Sequence, residues 1–308
     1  MTELSASPAL SVIIACRNGA ATLRETLEGL AAQVWDRPWD VVLADNGSTD
    51  GSVALFEAFA LAHPRLAMRA VDASARRGKA FALNTAIAAV RARAVAFCDA
   101  DDVPGEGWLA AMGMALERHP IVACRTDLDR LNPGWIRRSR GELQQAGLGR
   151  LEFLPALVHA GGGTMGVQRR LVEEIGGFDE GFSYLEDTEF SLRAQLAGHA
   201  IVFVPEAVMH VRARDDLARI FRQSYNWGRY EMKLVSRYRQ HGVAFAGGWR
   251  HYLRTWRRLL RHCLANGLQP GPQTMSNAGW ARARAGRLAG QLAGMLRYRV
   301  PPYRGIGR

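Results

Sequence analysis

Short apolar runs alternate with segments of helical periodicity over the first 100 residues. The apolar runs predict strands, and the first and last of them lack the polar alternation of a half-exposed strand, which is typical of strands buried in a parallel sheet. They cover residues 10–16, 41–44, 66–71 and 94–98. The segments between them place apolar residues three or four positions apart and predict helices; they cover residues 23–30, 53–63 and 78–90. Strands that alternate with helices predict an α/β fold with a doubly wound, mostly parallel sheet, whose strand ends face one crevice.

Three aspartates follow the fourth apolar run. Asp99, Asp101 and Asp102 come directly after residues 94–98, so we expect them at the carboxyl end of a strand, where open α/β sheets bind ligands. Carboxylates this close together repel one another unless a cation or donor groups compensate, and oxygen ligands suit a hard metal ion. A solvated turn explains the same residues, because Asp is common in turns and at helix starts. A metal seat and an ordinary turn are therefore both open.

Charge is divided unevenly between two parts of the chain. The net charge is +11, yet residues 1–211 carry 20 Lys and Arg against 26 Asp and Glu, while residues 212–308 carry 20 against 3. Such asymmetry indicates two regions with different partners. We therefore predict a catalytic domain over residues 1–211 and a basic, mostly helical C-terminal extension over residues 212–308.

The basic extension contains an amphipathic segment at residues 249–264. Its apolar residues recur at helical spacing and are Trp249, Leu253, Trp256, Leu260 and Cys263. Arginines fill much of the rest, at positions 250, 254, 257, 258 and 261. A helix of this kind is typical of an anionic membrane surface, and a helix packed on the catalytic domain is the alternative. Nucleic-acid binding, which the basic charge would permit, is not expected because no nucleic-acid motif is visible.

Cysteine usage and hydropathy indicate the compartment. The cysteines have no paired spacing, which fits a reduced setting with Cys16 and Cys98 as strand residues. No basic segment precedes the first apolar run, so we expect no signal peptide. No uncharged apolar stretch reaches the roughly 18 residues of a membrane-spanning helix. We expect a cytoplasmic protein, peripheral at the inner face of the membrane.

Four segments in order resemble one enzyme family. SVIIACRN, ADNGSTDGS, RGKAFALNTAI and FCDADD look like the nucleotide-binding half of family 2 glycosyltransferases of the GT-A fold, and GGGTMGVQRRLVEEIGGFDEGFSYLEDTEFSLR resembles their acceptor half. The ordered set is more specific than any single segment. The resemblance implies a nucleotide-sugar half at about residues 9–104 and an acceptor half at about 105–211. It implies inverting, metal-dependent hexosyl transfer from a nucleoside-diphosphate sugar to a glycan or lipid-linked acceptor, in polysaccharide or glycolipid biosynthesis.

The resemblance also implies roles for residues at the predicted strand ends. Asp101 and His210 would hold Mg²⁺ or Mn²⁺, and Asp99 would hold the ribose or the metal. At the first strand end the family more often has Pro and an aromatic residue than the Ala and Arg of this chain. The residues implied in donor binding are Ala15, Arg17, Asp45, Lys79 and Asp99. Ordinary explanations stay open for several of them: Asp45 can cap a turn, Lys79 and Arg17 can be solvated, and His210 can be a packed residue.

On the acceptor side, the resemblance implies a general base. Gly162 and Gly163 would let the backbone approach the acceptor, and Glu186 would bind it. Asp187 matches the aspartate that takes a proton from the acceptor hydroxyl, and one base without a second nucleophilic carboxylate implies single displacement with inversion. Both acids are also ordinary charges for a helix start. A metal-dependent nucleotidyltransferase is the alternative enzyme, although the Gly-rich signature of that class is missing.

Overall fold

The computed structural model describes residues 7–140, 144–239, 243, 245, 248–266 and 272–300. The chain divides into two compact units. The first comprises Met1–Asp127, Gln144–Gly149 and His159–Val211, and the second comprises Leu128–Leu143, Arg150–Val158 and Arg212–Arg308. Two segments that precede residue 211 thus group with the C-terminal helices, and the domain boundary at residue 211 stays a prediction.

The described residues form ten strands and ten α-helices. In chain order the strands are β1 (Leu10–Cys16), β2 (Trp39–Asp45), β3 (Ala67–Asp72), β4 (Ala94–Asp99), β5 (Val103–Pro104), β6 (Ile121–Asp127), β7 (Gly149–Leu151), β8 (Leu154–His159), β9 (Met165–Gln168) and β10 (Val202–His210). The helices are α1 (Ala20–Ala31), α2 (Ser52–Ala62), α3 (Lys79–Ala89), α4 (Trp108–Arg118), α5 (Gly134–Arg140), α6 (Arg169–Ile175), α7 (Glu186–Leu196), α8 (Leu217–Arg239), α9 (Trp249–Asn266) and α10 (Pro272–Tyr298). A 3₁₀ turn at Gly162–Thr164 leads into β9.

Eight strands form one sheet in the order β3, β2, β1, β4, β9, β6, β10, β5. The first four pair in parallel, as do β6 and β10. By contrast, β9 runs antiparallel between β4 and β6, and β5 runs antiparallel to β10. These strands and the intervening helices confirm the predicted α/β fold with a doubly wound, mostly parallel sheet. Strand β3 has no buried side chain, because it lies last in the sheet order, beside β2.

The parallel strands end together at one edge of the sheet. Cys16 lies opposite Asp45, Asp45 lies opposite Asp72, and Ala15 lies opposite Asp99. Strands β1 and β4 are almost entirely buried, whereas Asp99, the last residue of β4, is partly exposed. Register and burial together therefore bring the acidic strand ends into one row.

The second unit is built around two closely packed helices. On α8 and α10, a Cβ added to Gly228, Gly286 or Gly290 would overlap a backbone carbonyl oxygen of the facing helix. Only glycine permits so close an approach. Helix α9 buries Tyr252 and Leu259, and the Tyr252 hydroxyl donates a 3.0 Å hydrogen bond to the Leu288 carbonyl of α10. Among the described residues, no helix combines the length and apolar character needed to cross a bilayer.

Candidate active site

The ammonium group of Lys79 forms an ion pair with the Asp99 carboxylate at the carboxyl end of β4. Lys79 begins α3, and Asp99 ends β4. Their side chains are about one-third exposed, at 31% and 34%. Burial alone would lower the pKa of Lys79, but the negative charges of Asp99 and Glu186 outweigh burial and hold this pKa above its ordinary value. Lys79 therefore stays charged, which suits a site for an anion at the start of a helix.

Two glycines bring the acceptor segment against this ion pair. A Cβ on Gly163 would lie 2.8 Å from the Asp99 Cγ, which is closer than real contacts allow. A Cβ on Gly162 would lie 3.2 Å from Lys79 Nζ and 3.3 Å from an Asp187 oxygen. The backbone can pass between these side chains because both positions lack a side chain. The pair predicted for acceptor binding thus lies directly beside Lys79, Asp99 and Asp187.

The two acids that begin α7 are held in different ways. Asp187 Oδ2 accepts a 2.7 Å hydrogen bond from the Gly162 N–H, and Oδ1 accepts a 2.6 Å bond from the Thr188 N–H. Its carboxylate is therefore fixed in orientation. The preceding Leu185 has φ = +60°, which is strained for a non-glycine residue and is often found at functional sites.

Glu186 is nearly buried, with 7% of its surface exposed. Burial and the neighbouring negative charge of Asp187 raise its pKa to about 7, against the opposing effect of the Lys79 cation. A carboxyl group in this state carries a proton part of the time at neutral pH. Adjacent acids in the sequence therefore offer two different chemistries, which is a feature of active sites.

The three aspartates at and just after the end of β4 form a compact oxygen cluster. Each of Asp99, Asp101 and Asp102 offers a carboxylate oxygen, and these atoms lie within 4.8 Å of one another. Oxygen ligands at such spacing suit Mg²⁺ or Mn²⁺, and the mutual repulsion of three carboxylates favours a bound cation. The residues present therefore fit a divalent metal ion.

His210 is the last residue of β10 and lies opposite Val103. Val103 directly follows the aspartate cluster in the sequence. Its Nδ1 lies 2.6 Å from an Asp127 carboxylate oxygen. Metal-binding histidines commonly use one ring nitrogen in such a bond and the other for the metal. The group of clustered ligands does not include His210, so its part in metal binding stays a prediction.

The remaining donor residues lie at the ends of β1 and β2. Asp45 accepts 3.2 Å hydrogen bonds from the N–H groups of Gly47 and Ser48, which is the turn-capping contact that the sequence left open. Ala15 is partly buried, and Arg17 is exposed at the start of the next loop. Their roles toward a donor stay predictions.

Two residues that hold loops of the site in place were not predicted from the sequence. The buried Asn46 donates to the Ala73 and Arg76 carbonyls and accepts from the Gly78 N–H at 2.9 Å, which holds the loop before Lys79. Gln144 accepts from the Gly161 N–H at 3.0 Å and donates to the Thr164 hydroxyl. Asn46 stands in a run of turn formers, and Gln144 lies in a polar stretch without periodicity, so neither carried a distinguishing signal.

The family model described as glycosyl transferase family 2 matches residues 11–176, more than half of the chain. The chain belongs to this family. A second model, glycosyl transferase family group 2, matches residues 94–283. The resemblance predicted from the four ordered segments is thereby confirmed.

Known relatives are similar to part of this family member. YibD of Escherichia coli K12, described as an uncharacterised glycosyltransferase, is 33% identical over 138 residues, which are 44% of this chain and 37% of YibD. The O-antigen biosynthesis protein RfbC of Myxococcus xanthus is 28% identical over 216 residues, which are 69% of this chain and 16% of RfbC. The chain thus spans well under half the length of these relatives.

Solved structures confirm the fold. The mannosyltransferase PcManGT of Pyrobaculum calidifontis, solved with GDP-Man and Mn²⁺, matches 95% of this chain and 76% of its own, with a TM-score of 0.56 and 21% identity. This likeness establishes the GT-A fold that the sequence predicted. An identity of 21% shows a shared fold and does not show a shared substrate.

Proposed function

We propose that this chain transfers a sugar, with inversion, from a nucleoside-diphosphate sugar to a hydroxyl group of a lipid-linked or other glycan acceptor. The observation that carries the proposal is the meeting of Lys79, Asp99 and Asp187 across Gly162 and Gly163. A cation for a diphosphate and an oriented carboxylate for a hydroxyl proton then lie side by side. A role in polysaccharide biosynthesis is supported by the similarity to RfbC.

Asp187 is the general base in this proposal. The acceptor hydroxyl gives its proton to the Asp187 carboxylate while its oxygen forms a bond to the anomeric carbon. The bond from that carbon to the diphosphate oxygen breaks, and its electron pair leaves with the nucleoside diphosphate. Attack from the face opposite the leaving group inverts the anomeric centre. Glu186, protonated part of the time, can donate a hydrogen bond to an acceptor oxygen.

The donor is held by residues of the strand ends. Lys79 contacts the diphosphate, Asp45 accepts hydrogen bonds from the base, and Asp99 contacts the ribose or the metal, while Ala15 and Arg17 line the nucleotide. Asp101, with His210, would hold Mg²⁺ or Mn²⁺. When bound, the metal ion supplies positive charge that neutralises the departing diphosphate.

Metal-dependent donor binding tests the proposal. The affinity of GDP and UDP for the full chain is measured by calorimetry in Mn²⁺ and in EDTA, for the wild type and Asp101→Ala. We expect Mn²⁺ to strengthen binding to the wild type and to have no effect on the variant. The control is Asp36→Ala, which removes an exposed carboxylate and should behave as wild type. If Mn²⁺ has the same effect on Asp101→Ala as on the wild type, Asp101 does not hold the metal ion.

A peripheral position at an anionic membrane forms the second part of the proposal, and α9 supports it. Large apolar side chains of this helix are solvent exposed: Trp249 by 55%, Leu253 by 51%, Leu260 by 62% and Leu264 by 79%. The helix packs instead through Tyr252 and Leu259. The five arginines of the segment are also exposed. An exposed apolar stripe beside a basic stripe matches the chemistry of an anionic bilayer surface.

A further inference from the structure

A small polar cleft lies inside the second unit, among α8, α9, α10 and the β7–β8 hairpin. Its volume is about 130 Å³. The charged lining comes from four separate elements and consists of Arg150, Glu152, Glu231, His251, Arg284 and Arg287. This space is large enough for one tetrahedral anion.

The cleft has more cationic than anionic groups. Each of its two glutamates is already engaged: Glu231 is fully buried and pairs with Arg287 and Gln291, and Glu152 accepts from His251 at 3.2 Å and from Arg284 at 3.3 Å. Arg150 is therefore in excess of the carboxylates, and its guanidinium donates a 2.7 Å hydrogen bond to the Pro155 carbonyl. The surrounding C-terminal region, with 20 basic against 3 acidic residues over 212–308, strengthens the positive potential of the cleft.

Arg284 is one of the arginines that line the cleft. Its guanidinium already donates to Glu152 through Nη2, so the side chain is held in place. The planar guanidinium matches phosphate oxygens better than any other side chain.

We propose that this cleft binds a single phosphate group, with Arg284 and Arg150 as its principal donors. The phosphate is that of a phospholipid headgroup or free inorganic phosphate, which share the same recognition chemistry. A headgroup would anchor α9, because His251, Tyr252 and Thr255 of this helix line the cleft. The site is separate from the strand-end residues assigned to the sugar donor, so it stands whether or not the proposed transferase reaction is correct.

Calorimetric titration of the full chain tests the site at constant ionic strength. One arm uses inorganic phosphate, and a second uses dihexanoyl phosphatidylglycerol below its micellar concentration. We expect saturable binding in at least one arm, and the tighter arm identifies the source. Replacement of Arg284 or Arg150 by Gln should weaken binding about ten- to a hundredfold, the ratio that corresponds to loss of a charge-assisted hydrogen bond.

Two further variants separate a built site from a general positive field. Arg282→Gln removes an exposed charge from the same helix, outside the cleft, and should leave the affinity unchanged. Glu152→Gln removes the carboxylate that competes with the ligand and should tighten binding. The proposal is overturned if neither arm is saturable, or if Arg282→Gln weakens binding as much as Arg284→Gln does. A thermal melt of each variant checks that it is folded.

Discussion

The strand-end site and helix α9 use charge in opposite ways. At the strand ends, Lys79 and Asp99 pair, while Glu186 is buried and its pKa is raised to about 7. On α9 the arginines are exposed, and the helix contains no carboxylate of its own. Charges of both signs set close together shift the pKa values of Lys79 and Glu186, which is a feature of active sites. Exposed charges of one sign leave their field available to a partner in solution. Substitutions at the strand-end site should therefore lower catalysis without changing membrane binding, and substitutions on α9 should do the reverse.

The largest effect should follow from Asp187→Asn. The amide keeps the size of the side chain but cannot take a proton, so kcat should fall by about 10²- to 10⁴-fold, as for loss of a general base. Donor affinity should stay near that of the wild type, because Asp187 acts on the acceptor. Steady-state kinetics and a nucleotide titration measure both quantities.

Glu186→Gln is the matched control for the base. This change keeps a hydrogen-bond donor at the acceptor side and should lower kcat much less than Asp187→Asn does. The reverse order of effects would show that the base is the neighbouring residue.

The second effect concerns vesicle binding by α9. Each arginine near an anionic surface contributes about 1 kcal/mol, so replacing Arg254, Arg257 and Arg261 by Gln should weaken binding to phosphatidylglycerol vesicles about a hundredfold. Co-sedimentation measures the affinity. High salt should release much of the wild type, because the attraction decays within about 8 Å at physiological ionic strength.

A charge-matched control comes from the first unit. Arg24, Arg37 and Arg65 are exposed there, and their replacement by Gln changes the net charge equally. Equal loss of vesicle binding in both triple variants would contradict a specific role for α9. Retention on DNA as strong as on vesicles, at matched salt, would favour the nucleic-acid alternative. These tests substitute residues and do not truncate the chain after Gln240, because truncation would remove α10, which packs closely on α8 at Gly228.

The sequence predicted the first four strands well, because their signal is local. Residues 10–16 form β1 as expected, and β4 extends the expected strand by one residue, to Asp99. The acidic strand ends were visible because an apolar run that stops at Asp can leave the core only at that point. The amphipathic character of α9 was visible for the same reason, since periodicity is a property of a single segment.

The contacts between distant segments could not be predicted. Gly162 and Gly163 approach Lys79 and Asp99, residues that lie more than 60 positions away in sequence, and no local pattern specifies such a meeting. The sequence also did not indicate which face of α9 packs. The apolar stripe predicted a membrane-facing helix with packing as the alternative, and neither prediction named Tyr252, which is the residue that is buried.

A smaller effect should come from the titration of Glu186. Its pKa is about 7 in the folded protein against an ordinary value of 4.5, so the folded state holds a proton that the unfolded state loses between these values. The contribution to stability is therefore greatest below about pH 4.5 and declines as the pH rises to about 7, by up to about 3 kcal/mol.

Glu186→Gln cannot ionise and should lack this decline. In EDTA, its free energy of unfolding should rise relative to that of the wild type between about pH 5 and pH 8. Denaturant titrations at several pH values measure the free energy of unfolding of both proteins. The contributions of the other titrating groups are the same in both proteins and cancel in the difference. Parallel pH profiles for the two proteins would show that Glu186 titrates normally.

The smallest effect should follow from Gly290→Ala on α10. In an exposed helix, alanine in place of glycine is favourable by about 1 kcal/mol. Here the added Cβ would overlap the Tyr225 carbonyl oxygen of α8, so the helices must separate, and overpacking of this kind costs about 1–3 kcal/mol. Thermal unfolding should therefore shift to lower temperature, whereas Arg282→Ala at an exposed position of the same helix should change stability by less than about 0.5 kcal/mol. Because this packing lies wholly within the second unit, nucleotide affinity should stay unchanged in the folded variant. A parallel loss of nucleotide binding would show that the helical unit also supports the strand-end site, and that the two regions are not independent.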